Sequence, residues 1–182
     1  MRNLVVSFMV FFALTITQAF GYELKSFSSD SKIIAAMQLL EESGEYEVFS
    51  NMKKNAVKVK FDVLPYSNVY AANVYDNFGR RIIIINSTYK DAPIEQIACL
   101  IAHESCHVAR KATLDEETVA TSKEAKCWAK LKQPGKTYPQ NKLTRRLDKI
   151  TNLYITSVQD GNNYIEDKIA SSSFYRSQYG FN

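Results

Sequence analysis

The amino-acid sequence predicts an α+β fold, with a small N-terminal sheet and helices followed by a succession of helices. Two observations carry that prediction. Val57, Val59, Phe61 and Val63 alternate with Lys58, Lys60 and Asp62, the two-residue period of a half-buried strand. On either side, before Glu42 and from Ile94 onward, apolar positions recur at three and four, the period of a helix.

In chain order, Asp30 or Ser31 caps a first helix over about Lys32 to Glu42, with Ile33, Ile34, Met37 and Leu39 or Leu40 inward and Gly44 as its stop. A second helix, Glu45 to Asn55, presents Tyr46, Phe49 and Met52. Strands follow at Val57–Val63, Val69–Tyr75 and Arg81–Asn86, the last two joined by the turn Asp76-Asn77-Phe78-Gly79. Four consecutive isoleucines leave no polar face on the third strand, so it is expected at the centre or covered on both sides. Asp91 and Pro93 open a helix over Ile94–Ala109. Thr113 or Asp115 caps the next, which runs from Leu114 to Leu131 and ends before Pro134-Gly135. Asn141–Gln159 and Tyr164–Tyr175 are the closing helices.

The first residues form a separate unit. Arg2 precedes the apolar run Leu4–Ile16, and Thr17-Gln18-Ala19 or Ala19-Phe20-Gly21 offers small residues for cleavage. This is the layout of a signal peptide. The expectation is a signal peptide over residues 1–21, a single domain over 22–182 and a secreted or periplasmic protein. An uncleaved anchor is the alternative; after cleavage no stable membrane association is expected. A net charge of +4 spread along 182 residues supplies no dense basic stripe, so nucleic acid is not an expected partner.

The chain's chemistry is concentrated in Ile94–Ala109. It holds His103-Glu104-Ser105-Cys106-His107, an H-E-x-x-H arrangement that uses both histidines of the sequence. Within a helix, positions four apart share a face, so both imidazoles can aim at one point. Ile94, Ile97, Ala98, Ile101 and Val108 would form the opposite, apolar face. Zinc held by two histidines and one further ligand keeps a position open for water, and a neighbouring glutamate can take that water's proton. His103 and His107 are therefore candidate metal ligands and Glu104 the candidate general base.

No third histidine follows, so the remaining ligand must be a carboxylate. Glu117, Ala120, Glu124 and Trp128 share one stripe of the following helix, and the small Ala120 permits close approach to the motif helix. Glu117 is the leading candidate and Glu116 the second. Asp115 and the glutamate left over would complement the helix dipole. The strand ending Ile-Ile-Ile-Ile-Asn86, the H-E-x-x-H helix and the helix opening Glu-Glu-x-x-Ala resemble the small, minigluzincin type of gluzincin metallopeptidase over about Val69–Leu131. That resemblance implies a zincin-like fold, one zinc ion per chain and Glu117 as third ligand, with a peptide or protein as substrate. The separation is short: only nine residues lie between His107 and Glu117. The rival expectation is a catalytically inactive zincin scaffold that binds peptide or protein.

Cys99, Cys106 and Cys127 complete the inventory. Cys99 and Cys106 on one helix would lie about 10 Å apart along its axis, too far to bridge. If the two central helices are antiparallel, Cys127 lies nearer Cys99, so Cys99–Cys127 is the favoured pair; three reduced thiols are the alternative.

Overall fold

The structure, a computed structural model, describes residues 23–66, 68–109 and 111–179. The expected signal peptide, residues 1–21, lies outside them. The domain is α+β. Helices α1 (Ser31–Glu42) and α2 (Tyr46–Lys54) precede strands β1 (Lys58–Asp62), β2 (Ala71–Tyr75) and β3 (Arg81–Asn86). Helices α3 (Ile94–Cys106), α4 (Leu114–Leu131), α5 (Lys142–Asp160), α6 (Tyr164–Ala170) and α7 (Ser173–Tyr179) follow. No helix among the described residues is long and apolar enough to cross a membrane.

The sheet order is β1-β3-β2, which puts the isoleucine strand at the centre as expected. β1 pairs with β3 in parallel and β2 antiparallel to it. Ile83 and Ile85 are fully buried, while Ile82 and Ile84 are half-covered on the other face. The free edge of β1 is partly closed by the Val59 amide, which donates to the Phe27 carbonyl at 2.8 Å. In the antiparallel pair, the Asn86 amide bonds the Tyr70 carbonyl and the Asp76 amide bonds the Arg80 carbonyl. Alternation along the register therefore turns the main-chain groups of Ala71 and Asn73 away from β3, toward the cleft.

Helix α3 is the axis of the molecule. Every residue from Glu95 to Ser105 is buried, because β2 and β3 cover one side and α1, α2, α4 and α5 the others. The expected one-sided apolar helix is thus corrected: α3 is enclosed all round, and its polar residues carry partners inward. Gln96 donates to Thr144 Oγ1 at 2.8 Å, and Lys136 pairs with Glu95. On α4, Trp128 packs edge-on to Tyr138 with centroids 4.9 Å apart, and its indole N–H donates to Asp148 at 2.7 Å.

Most expected elements appear, with shifted ends. Asp30 caps α1, Thr113 caps α4, and Gly161 closes α5 at φ +75°. Pro93, not Asp91, occupies the cap position of α3, with no side-chain bond. On α2, Val48 and Met52 are buried while Tyr46 is exposed. The single helix expected over Tyr164–Tyr175 is two. Ser171 caps α6, and its hydroxyl bonds the Lys168 carbonyl at 3.2 Å, which diverts a backbone acceptor and lets the chain restart at Ser173.

Candidate metal centre

The motif helix stops one residue short of its second histidine. Its last residue is Cys106, and His107 is the C-cap at φ −73°, ψ 117°. The expected helix to Ala109 is corrected, as is Val108's place on the buried face, since Val108 is 62% exposed. The cause lies in other elements. To continue, the Val108 amide would bond the Glu104 carbonyl. Instead, that carbonyl accepts from the Asn73 amide at 2.6 Å, and the Val108 amide donates to Glu116 Oε1 at 2.6 Å. The buried Arg81 guanidinium also reaches the Glu104 and Ser105 carbonyls, at 3.5 and 3.4 Å.

The extended His107 backbone still brings the two rings together. The Nε2 atoms of His103 and His107 lie 3.2 Å apart, with ring planes at 65°. Helix α4 runs antiparallel to α3 and delivers Glu117 to the same point. Its carboxylate oxygens lie 3.8 Å from His103 Nε2 and 3.6 Å from His107 Nε2. His103, His107 and Glu117 form a buried group that could bind a metal ion. Glu116, the second candidate, does not join it. One Glu116 oxygen bonds the Val108 and Ala109 amides, and the other lies 3.8 Å from His107 Nδ1, on the far side of that ring.

A second layer backs the first. Glu124 is fully buried and places an oxygen 3.0 Å from His103 Nδ1. Its other oxygen pairs with Arg146 from α5. Burial alone would raise the Glu124 pKa, but Arg146 and His103 outweigh it and hold it down to about 2. Burial pulls His103 down, and Glu124 more than restores it, leaving His103 above its usual value. His107 falls to about 3 through burial, His103 and Arg81. A carboxylate at Nδ1 favours the tautomer that leaves Nε2 free to face a metal ion.

Glu104 stands beside the group without joining it. The Asn73 amide donates to Glu104 Oε2 at 2.7 Å as well as to its carbonyl, so the edge strand grips both ends of this residue. Burial, with help from Glu117, pushes Glu104 up to about 7 against the opposing pull of His103 and Asn73. These groups open onto a cleft of about 510 Å3, bordered by β2, by the loop carrying Leu64 and Tyr66, and by Phe174 and Tyr175 of α7. Burial is the main cause that pushes Tyr175 up to about 12, so its phenol stays a hydrogen-bond donor.

Sequence reasoning missed Asn73, Arg146 and Tyr175, and gave Glu124 a place on the ligand stripe without a partner. Only Glu124 left a signal, its position seven residues after Glu117. Among other tyrosines, Tyr138 packs on Trp128, and Tyr164 bonds Asp160 and Asn162. In comparisons with protein-family models, curated proteins and solved structures, nothing matches this chain.

Proposed function

We propose that this chain is an exported zinc metallopeptidase of zincin-like fold. One zinc ion would be held by His103, His107 and Glu117, with Glu104 as general base. The observation that carries the reading is the convergence of the two Nε2 atoms and the Glu117 carboxylate. Zinc in tetrahedral coordination, with bonds of about 2.0–2.1 Å, needs ligand atoms about 3.3–3.4 Å apart. The separations here are 3.2, 3.6 and 3.8 Å, so a small inward movement of Glu117 completes the set. Nitrogen and oxygen donors, with the Glu124 carboxylate behind the His103 imidazole, suit zinc.

Zinc so bound acts as a Lewis acid toward a carbonyl and lowers the pKa of water to about 7. The chain's own residues supply the rest. Ala71 and Asn73 offer outward main-chain groups to which an extended peptide can pair as an added strand. Glu104, held at its carboxylate by the Asn73 amide, would take the proton of the attacking water and return it to the leaving amine. Tyr175, which lines the cleft, would donate to the oxygen that becomes negative in the transition state. The sheet, motif helix and glutamate helix succeed one another as in the gluzincins that the sequence resembles, and the apolar run Leu4–Ile16 behind Arg2, read as a signal peptide, would export such an enzyme.

The test pairs metal analysis with cleavage of a mixed peptide library. Wild type should carry one zinc per chain and cleave. His103→Ala should lose the metal, and Glu104→Gln should keep it and lose cleavage. Wild-type turnover in Glu104→Gln would refute the assignment. Metal bound without cleavage by the wild type would favour the peptide-binding alternative.

A further inference from the structure

We infer that Cys99 and Cys127 form a disulfide that staples the two helices carrying the candidate ligands. The inference stands apart from the metallopeptidase reading, because it rests on two sulfurs that touch neither the metal group nor the cleft.

The Sγ atoms lie 3.3 Å apart, one on α3 and one on α4. A disulfide needs about 2.05 Å, so a closure of about 1.2 Å suffices, within what small side-chain rotations supply. Both side chains are sealed in the core, Cys99 at 0% and Cys127 at 1% exposure. The third cysteine is out of the way. Cys106 faces Lys123 and Glu47, and its thiol donates to the Ala102 carbonyl at 3.4 Å. The pairing is therefore specific, and one thiol is left over.

What the bond would enclose gives it a purpose. Cys99 and Cys127 are 28 positions apart, and His103, Glu104, His107, Glu116, Glu117 and Glu124 all lie between them. Crosslinking the ends of that segment restricts the unfolded chain and keeps α3 and α4 in register. The imidazoles and the Glu117 carboxylate then stay aimed at one another before a metal arrives.

The chemistry balances with a disulfide-bearing oxidant, a small molecule or an oxidase protein. Two S–H bonds are lost and one S–S bond forms. The two electrons and two protons pass to the oxidant's disulfide, which leaves as two thiols. Exchange needs a thiolate with access to reagent, and burial pushes the Cys99 thiol far from ionising. The bond therefore forms while α3 and α4 are coming together, and afterwards resists reductants until the protein unfolds.

To test this, the full chain is unfolded in guanidinium and returned to native conditions in a glutathione redox buffer, once with zinc and once with chelator. Free thiols are then alkylated under acid quench and mapped by peptide mass spectrometry. The expected result is one alkylated thiol, Cys106, and a linked peptide pair joining Cys99 to Cys127 in either condition. Three alkylated thiols in both, or a disulfide that includes Cys106, overturns the inference. A second measurement covers folding defects. With zinc removed, wild type and Cys106→Ser that are reduced while unfolded and refolded in a phosphine reductant should melt lower than their oxidised forms, while the melting of Cys99→Ala/Cys127→Ala should not change. Equal sensitivity in all three would count against the bond. Neither readout depends on zinc or on cleavage.

Discussion

Replacing Glu124 by glutamine separates the support of the candidate site from the site itself. Glu124 touches no metal position, yet its carboxylate serves two buried partners at once, His103 Nδ1 at 3.0 Å and the Arg146 guanidinium. Glutamine keeps the shape and loses the charge. Two costs follow, with different readouts. Loss of the carboxylate behind a metal-bound imidazole typically weakens metal affinity by about 10- to 100-fold, or about 1.4–2.7 kcal/mol. The second cost falls on the fold, because Arg146 loses its counter-charge. Removing one partner of a fully buried ion pair costs about 3–5 kcal/mol. The Arg146 side chain is 23% exposed and lies 5.3 Å over the Tyr70 ring, which favours the lower end of that range. At about 2–4 °C per kcal/mol for a chain of this size, the metal-free protein should melt about 6–12 °C lower.

Adding Arg146→Met should recover most of that melting loss while leaving the metal affinity low, since no carboxylate returns to His103. The assays are competition against a chromophoric chelator for zinc, and thermal unfolding followed by circular dichroism with metal removed. A zinc dissociation constant within about threefold of wild type in Glu124→Gln would refute the reasoning, because it falls well short of the tenfold minimum expected for an outer-shell ligand.

Three further outcomes are expected. Asn73→Ala should keep zinc and lower kcat by about tenfold to 100-fold, because Glu104 loses the amide that orients it; an unchanged kcat on the library's best substrate would remove Asn73 from the site. Tyr175→Phe should lower kcat by about 100-fold at unchanged KM and zinc content, whereas a loss confined to KM would make Tyr175 a binding residue only. Burial pushes the Glu45 carboxyl up, but Lys123 at 2.8 Å and Lys130 at 3.5 Å outweigh it and hold it below 4.5. A carboxyl depressed in the folded state stabilises above its unfolded pKa, and that stability is lost as pH falls through the folded value. Glu45→Gln should therefore lower the melting temperature at pH 7 and converge on wild type in acid, and a gap independent of pH would contradict the ion pairing.

What the sequence revealed and what it hid divide along a physical line. Period and punctuation are local, so the isoleucine strand, the Thr113 cap and the extent of α4 were legible from neighbouring residues alone. The burial of α3 on all sides was not, because Glu95 and Gln96 look solvent-facing until Lys136 and Thr144 arrive from far along the chain. Tyr46, expected inward, is exposed and Val48 is buried for a similar reason. Both fit a helical stripe, and only the packing of α2 against α3 decides which is covered.

The end of the motif helix sharpens the point. Nothing between Cys106 and Ala109 is a helix breaker, and local propensity would carry the helix through His107. Three residues from elsewhere stop it: Asn73 takes the Glu104 carbonyl, Arg81 reaches the same turn, and Glu116 takes the Val108 amide. Freed from the helix, His107 rests in an extended backbone with its Nε2 3.2 Å from that of His103. The spacing of an H-E-x-x-H motif thus fixes which residues meet, while the rim of the cleft fixes how. Asn73 belongs to both functions, since its main chain faces the cleft and its amide holds Glu104. Under the proposed mechanism, a substrate strand pairing with β2 would press on the residue that holds Glu104, coupling substrate binding to the orientation of that carboxylate through one side chain.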